Sequence, residues 1–118
     1  MDFADSALII DNIFDSQSLI ASRAWEVLHE GVFISPIYQS DENSPRAAFL
    51  HYQPGSSIPT HLHAGFEHIL ILEGSQQDGD RLYASGTLVI HRPGSHHQIT
   101  SVTGCLALGI WERPVRFN

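Results

Sequence analysis

The chain has 118 residues, 42% of them hydrophobic and 16% charged, which suits one globular domain with an apolar core and no more. Thirteen acidic residues against six basic ones give a net charge of −7 with histidine neutral, so the clustered positive charge that nucleic acids and anionic membranes attract is missing. All six basic residues are arginine, which excludes chemistry that depends on lysine, such as Schiff-base formation.

The N-terminal residues and the single cysteine predict a cytoplasmic protein without disulfides. Asp2 and Asp5 lie where a secretory signal would carry positive charge. No apolar run approaches the ~20 residues of a membrane span. Cys105 lies in the apolar run 105–111, which indicates a buried thiol rather than a reactive one. We therefore expect a protein that binds neither membranes nor nucleic acid.

The N-terminal segment, residues 1–44, is expected to form strands that pack on a barrel or on a partner subunit. One strand is predicted over residues 7–14 and a second over 31–38, with Trp25 leading into the second. A competing interpretation has Asp15 and Ser16 capping a short helix that extends to residue 28, because the apolar residues after them loosely share one helical face. A polar loop then precedes the barrel.

The rest of the chain, residues 45–113, is predicted to form an all-β barrel core. Short apolar runs alternate with turns that contain glycine or proline, at intervals of about ten residues. No run between those turns is long enough to be a helix. The runs are 47–52, 58–63, 67–73, 81–83, 87–92, 97–102 and 105–112.

The run 67–73 is apolar on both of its faces. Alternation along a strand places Ile69 and Ile71 on one face and Leu70 and Leu72 on the other. Since the outer face of a small barrel meets water, either the N-terminal segment or a second subunit must cover it. We expect a homodimer in which an N-terminal strand is added to the neighbour's sheet edge.

Eight histidines are the most distinctive feature of the composition, and four side chains form a candidate metal site. His61 and His63 lie two apart on a predicted strand, so both imidazoles leave the same face. Glu67 follows after a short turn and returns a carboxylate to the same point. A fourth ligand comes from His96 or His97, of which only one can point inward. Three imidazoles and a carboxylate suit a divalent metal.

These residues resemble the two motifs of the cupin superfamily. The first motif, G-x5-H-x-H-x3-E-x6-G, is matched at every spacing by Gly55, His61, His63, Glu67 and Gly74. The second, G-x5-P-x-G-x2-H-x3-N, is matched by Gly86, Gly94 and His97, whereas Arg92 replaces its first proline and Ser101 its asparagine. The resemblance implies a double-stranded β-helix, the cupin jelly-roll barrel. It also implies that the metal ligands are His61, His63, Glu67 and His97, with His96 facing away.

Residues 25–110 further resemble the ChrR-type cupins. That group includes the zinc-binding C-terminal domain of an anti-sigma factor and relatives of acetylacetone-cleaving dioxygenases. The resemblance therefore implies one divalent metal ion per chain, either Fe(II) or Zn(II), with Mn(II) or Ni(II) as alternatives.

The ligand set supports two kinds of function. With Fe(II), octahedral preference leaves two positions for dioxygen and a chelating substrate, which suits a dioxygenase or related enzyme acting on a small enolisable or dicarbonyl compound. With Zn(II), the four ligands complete a tetrahedron and suit a non-catalytic sensory or regulatory module. We favour the enzyme, because only some 45 residues precede the barrel and they contain no cysteine with which to build the anti-sigma factor's second zinc-binding domain.

In the enzyme interpretation Glu67 is both a metal ligand and a catalytic residue. Apolar side chains near the ligands, at positions 66, 69 and 71, suit a small apolar substrate. His51 either lines the pocket or is a partly exposed strand residue. The other histidines are predicted to lie outside the site, His68 on the outer face, and His29 and His91 in solvent.

Overall fold

The computed structural model describes residues 6–117, which contain a short α-helix followed by ten strands. The helix is α1 (Ser16–Ser22). The strands are β1 (Glu26–His29), β2 (Val32–Gln39), β3 (Arg46–Tyr52), β4 (Ser56–His63), β5 (Glu67–Asp78), β6 (Arg81–Ala84), β7 (Leu88–His91), β8 (His96–Ser101), β9 (Cys105–Trp111) and β10 (Val115–Phe117).

The strands form one antiparallel sheet that curls on itself around a central strand, β5. The order is β1-β2-β3-β9-β5-β8-β4-β10, and β6 and β7 each pair with β5. The first part of β5 pairs with β7 and β9, and its last part pairs with β6 and β8. Because β5 belongs to both halves of the sheet, it sets the curl. The predicted all-β, barrel-like fold of a single small domain is confirmed.

The inner face of the curled sheet holds the main core. The alternation predicted for β5 is present, with Ile69 and Ile71 buried and Leu70 and Leu72 only partly buried. The buried side chains of the main core are Val32, Ile34, Ala48, Leu50, Tyr52, Ile58, Ile69, Ile71, Ile99, Cys105, Ala107 and Trp111. Burial raises the pKa of the Cys105 thiol to about 12, so it is protonated and unreactive at neutral pH, as the sequence predicts.

Gly74, the last residue of the first motif, allows β5 and β9 to approach each other. Its φ of +78° is a conformation that side-chain-bearing residues rarely adopt. A Cβ atom there would also collide with the backbone oxygen of Gly104. The motif glycine therefore allows β5 to pair closely with the start of β9 at this point.

The N-terminal segment covers part of the outer face of the sheet. Leu19 of α1 is buried against Phe49 and Leu106, with several partly buried apolar residues around them. The indole N–H of Trp25 donates to the Ile20 carbonyl oxygen at 2.9 Å and ties the helix to the chain that follows. The outer face was expected to be covered by either the N-terminal segment or a second subunit. In this part of the sheet it is covered by the N-terminal segment.

The strand predicted over residues 7–14 is wrong, and the competing helix is correct over residues 16–22. Asn12 has a φ of +59° and its carbonyl oxygen accepts from the Asp15 N–H, which makes a turn in place of an extended strand. The Asp15 side chain then accepts from the Ser18 N–H and caps α1. Ile10 and Ile13 pack against the outer cluster on the sheet face, whereas Leu8, Ile9 and Phe14 are exposed. The second predicted strand is confirmed as β2.

No helix within residues 6–117 is long and apolar enough to span a membrane.

Replacing Leu19 with alanine should destabilise the protein because Leu19 is the only buried residue of α1 and is 3% exposed. We expect the free energy of unfolding to fall by about 2–4 kcal/mol, as for other buried leucines. Urea denaturation followed by circular dichroism measures the change. Leu8→Ala is the control, because Leu8 is 70% exposed and its truncation should change stability by less than about 0.5 kcal/mol. Equal effects of the two substitutions would contradict the described packing of the N-terminal segment.

Candidate metal centre

Four buried side chains from three strands converge on one point inside the curled sheet. His61 and His63 lie on β4, Glu67 begins β5, and His97 lies on β8. His61 and His97 are directly opposite each other in the β4–β8 pairing. One ligand atom from each of the four residues lies within 4.8 Å of the others, which is a cluster that could hold a metal ion.

The choice between His96 and His97 follows from strand alternation, as the sequence predicts. His97 is buried and faces the cluster, whereas His96 is exposed and is paired with Leu62 on the other face. The structure therefore brings together His61, His63, Glu67 and His97 and leaves His96 out.

Hydrogen bonds fix which nitrogen of His61 and His97 carries the proton. The Nδ1 of His61 lies 2.8 Å from the Pro59 carbonyl oxygen, and the Nδ1 of His97 lies 3.0 Å from Oδ2 of Asp78. A carbonyl and a carboxylate can only accept, so both Nδ1 atoms must donate. In the neutral ring the Nε2 atom is then unprotonated and has a free lone pair.

The same argument applies to His63 through Ser95. The Ser95 hydroxyl donates to the Arg92 carbonyl oxygen at 2.6 Å, which uses its only hydrogen. Its Oγ lies 2.8 Å from the Nδ1 of His63 and must accept from it. His63, like the other two rings, therefore presents an Nε2 lone pair to the cluster.

The lone pairs face one another at distances that call for a cation between them. The Nε2 atoms of His61 and His97 are 2.9 Å apart. The Nε2 of His63 lies 3.2 Å from Oε1 of Glu67, is buried and has no hydrogen-bond partner among the described residues. Three imidazole lone pairs and a carboxylate oxygen are the donor set of a divalent transition metal, so the residues fit such an ion.

The surroundings of Glu67 and His97 favour the metal-binding forms of these two side chains at neutral pH. Burial lowers the pKa of His97 to about 4, against the opposing effect of the Asp78 carboxylate. Burial alone would raise the pKa of the Glu67 carboxyl, but contacts with a protonated His63 and with the Trp111 N–H hold that pKa below its usual value. When His63 is neutral, the Trp111 N–H is the donor that remains. Glu67 is then ionised and His97 neutral, which are the forms that bind metals.

Trp111 orients the Glu67 carboxylate. The two residues are paired across β5 and β9, and the indole N–H of Trp111 donates to Oε2 of Glu67 at 2.6 Å within the buried interior. Oε1 is left to face the histidines. Trp111 was not predicted as a site residue.

A cavity of about 190 Å³ opens beside the cluster. His61, Glu67 and His97 form part of its wall, and most of the remaining wall is apolar, including Ile69 but not the other two apolar positions singled out in the sequence. This volume is below the ~300–1,000 Å³ of sites for drug-sized ligands. The cavity therefore suits a small, mostly apolar molecule.

The family model of the ChrR cupin-like domain matches residues 17–110, most of the chain. The chain belongs to this family. No curated protein matches the sequence.

Solved structures show the cupin fold. The anti-sigma ChrR of Rhodobacter sphaeroides, in complex with SigE, is 23% identical with a TM-score of 0.69, over 78% of this chain and 50% of that one. An acetylacetone dioxygenase from Acinetobacter johnsonii is 17% identical with a TM-score of 0.73, over 94% of this chain and 75% of that one. A putative acetylacetone dioxygenase from Methylibium petroleiphilum PM1 is 13% identical with a TM-score of 0.78, over 95% and 81%. This chain thus spans about half the length of the ChrR chain that it matches.

His91 lies beside the candidate metal ligands of this ChrR-like cupin, and the prediction that it is in solvent is wrong. Its side chain is 13% exposed, and its ring stacks on His63 with centroids 5.0 Å apart. The Nε2 of His91 lies 3.7 Å from Oε1 of Glu67, and the two residues are directly opposite each other in the β5–β7 pairing. Alternation in the run 87–92 was the signal available, since the more exposed Leu88 and Ile90 leave His91 on the inner face.

His51 is placed away from the cluster. Leu50 and Tyr52 of β3 belong to the inner core, so His51 between them faces outward. Its ring lies between Trp25 and Phe33, at centroid distances of 5.7 Å and 6.5 Å. The structure does not bring His51 to the candidate metal site.

Metal binding should depend on His97 and not on His96. His97→Ala removes one of four converging donors, and we expect it to weaken Zn(II) or Co(II) binding by more than about a hundredfold, since outer-sphere partners alone are worth ~10–100-fold. His96→Ala should keep one metal ion per chain. Titration calorimetry with mass-spectrometric metal analysis measures both. Loss of metal from His96→Ala, with His97→Ala unaffected, would show that the inward residue has been wrongly assigned.

Asp78 should matter as the carboxylate that fixes the His97 ring. In Asp78→Asn the neutral amide is a weaker acceptor for Nδ1–H, so we expect metal affinity to fall by about 10–100-fold with the fold intact. Asp80→Asn is the matched control, because Asp80 lies in the same β5–β6 hairpin and is exposed. The same titration serves both variants, and equal affinities for the two would exclude this role of Asp78.

Proposed function

We propose that this cupin binds one divalent metal ion per chain through His61, His63, Glu67 and His97 and acts as a small metal-dependent dioxygenase, or a related enzyme, on a small enolisable or dicarbonyl compound. The observation that carries the proposal is that three of these four donors, His61, Glu67 and His97, line a small, mostly apolar cavity. Fe(II) is the proposed metal for turnover.

The chain's own residues supply binding, charge and exclusion of water. The three histidines give neutral nitrogen donors, and Glu67 adds the only negative charge of the donor set, leaving a divalent ion with a net charge near +1. Trp111 holds the Glu67 carboxylate in one orientation. A bound redox-active ion such as Fe(II) supplies the oxygen chemistry that amino-acid side chains lack. The apolar wall favours an uncharged enolisable group next to the cluster.

The fold similarity to an acetylacetone dioxygenase and to a putative one, over 94% and 95% of this chain, supports the enzyme interpretation by analogy of fold. A second candidate is a non-catalytic zinc-binding sensory module of the ChrR type. The family match and the fold shared with the anti-sigma ChrR favour it, as does a set of four donors that could close a tetrahedral zinc site.

Oxygen uptake separates the two candidates. The protein loaded with Fe(II) should consume oxygen with pentane-2,4-dione or a related dicarbonyl compound, whereas the Zn(II) form should be inactive because Zn(II) has no redox chemistry. Glu67→Gln should lower the turnover rate by about tenfold or more because it removes the only anionic donor. Glu73→Gln, an exposed carboxylate on the same strand, should leave the rate unchanged.

An oxygen electrode measures each metal form against a panel of diketones and small phenols. Protein that binds stoichiometric zinc, and shows no uptake with Fe(II), Mn(II) or Ni(II) and any member of the panel, would favour the sensory module instead.

We also propose a homodimer. The N-terminal strand that was expected to join the neighbour's sheet edge is not formed, so the interface proposed here is instead the exposed outer side chains of the edge strand β7. Leu88 and Ile90 are 57% and 51% exposed and lie opposite Leu70 and His68 of β5. Light scattering at micromolar concentration should give twice the chain mass of 13.1 kDa. Ile90→Glu should shift the protein to the monomer mass by placing a charge in the apolar contact. A wild-type protein of monomer mass would contradict the proposal.

A further inference from the structure

Five residues lie in one row across the inner face of the sheet. Gln39, Arg46, Trp111, Glu67 and His91 are directly opposite one another on β2, β3, β9, β5 and β7. Neighbouring strands are ~4.8 Å apart, so the backbone of Arg46 lies two strand spacings, roughly 10 Å, from that of Glu67. The first four residues of the row line the cavity beside the metal cluster. The cavity is therefore lined by metal-ligand side chains around Glu67 and, two strands away in the same row, by Arg46.

The guanidinium of Arg46 has no anionic partner among residues 6–117. Its Nε is buried and makes no hydrogen bond there. The Arg46 guanidinium lies over the ring of Trp111, with Cζ 6.0 Å from the ring centroid. A buried donor without an acceptor is costly, and an arginine presents its donors as a fork that matches a carboxylate. Arg46 is also the only arginine among the described residues that line the cavity.

We propose that Arg46 binds the carboxylate of a small organic acid whose enolisable carbonyl end reaches the His61, Glu67 and His97 side of the cavity. The position of the carbonyl group beside the metal ligands rests on the proposed function. The position of the carboxylate rests on Arg46 alone. The apolar wall and the Trp111 ring between the two ends suit a short hydrocarbon linker. With a chain net charge of −7, a local arginine is what would make an acid a favourable ligand here.

Matched ligands test the carboxylate directly. 4,6-Dioxoheptanoate carries a diketone two methylenes away from a carboxylate, and 4,6-dioxoheptanamide has the same shape without the charge. Titration calorimetry with the zinc-loaded protein measures binding without turnover. We expect the acid to bind about 10–100-fold tighter than the amide, as for a charged hydrogen-bonded pair in a partly buried site.

Variants assign the preference to Arg46. Arg46→Met should abolish it, and Arg46→Lys should retain part of it because the charge remains without the fork. Arg81→Met is the control, since Arg81 is exposed and lies outside the cavity. An acid that bound the metal through its carboxylate would keep its preference in Arg46→Met, which would overturn the assignment.

The same titrations in metal-free protein separate this proposal from the proposed function. The acid should still be preferred over the amide there, with lower affinity for both. Equal binding of acid and amide by a wild-type protein that binds metal would overturn the Arg46 proposal and leave the metal site standing. Failure to bind metal would overturn the proposed function, while the acid–amide comparison would still decide the role of Arg46. Since that comparison uses the wild-type chain, it remains decisive even if Arg46→Met does not fold.

Discussion

The candidate site depends on one constraint, which is that all three imidazoles are held by their Nδ1 atoms. A backbone carbonyl, a serine hydroxyl and a carboxylate accept from them, and each acceptor sits on the side of its ring away from the cluster. The Nε2 lone pairs therefore face inward whenever the rings are neutral. Burial keeps His97 neutral, and the Trp111 N–H that donates to Glu67 favours the ionised carboxylate. The site is organised for a cation by its hydrogen bonds as much as by its ligands.

The residues that local spacing determines could be predicted from the sequence. His61 and His63 share a face because they are two apart on a strand, and His97 rather than His96 faces inward for the same reason. The turns of the barrel region follow from glycine and proline in the same local way. Alternation could also have identified His91, whose exposed neighbours indicate an inward face.

Residues that reach the site through long-range pairing could not be predicted in this way. Trp111 and Glu67 are 44 positions apart in the chain and meet only because β9 lies beside β5. No local sequence pattern predicts that pairing. Asp78 reaches His97 because the far end of the long strand β5 curls towards β8. Such contacts are properties of the sheet order, whereas spacing arguments describe single strands.

The N-terminal segment shows how tertiary packing decides between two local patterns. Its sequence allows either an extended strand or a capped helix. A helix satisfies most of its backbone hydrogen bonds within itself, whereas a strand needs a partner strand. What separates them is the outer face of β3 and β9, where Phe49 and Leu106 need covering. Leu19 of α1 covers these two side chains, and the Asp15 cap stabilises a helix that is otherwise too short to be stable alone.

The row of residues across the inner face makes the two ends of the cavity chemically different. Oε2 of Glu67 is occupied by Trp111, so the carboxylate has one oxygen left for the cluster. Beyond Trp111 in the same row lies a guanidinium with no anion among residues 6–117. A module that only held an ion would need the four donors and nothing more. A cavity with donors in one wall, an apolar middle and a cation further along the row has the polarity of a site for a small molecule with two different ends.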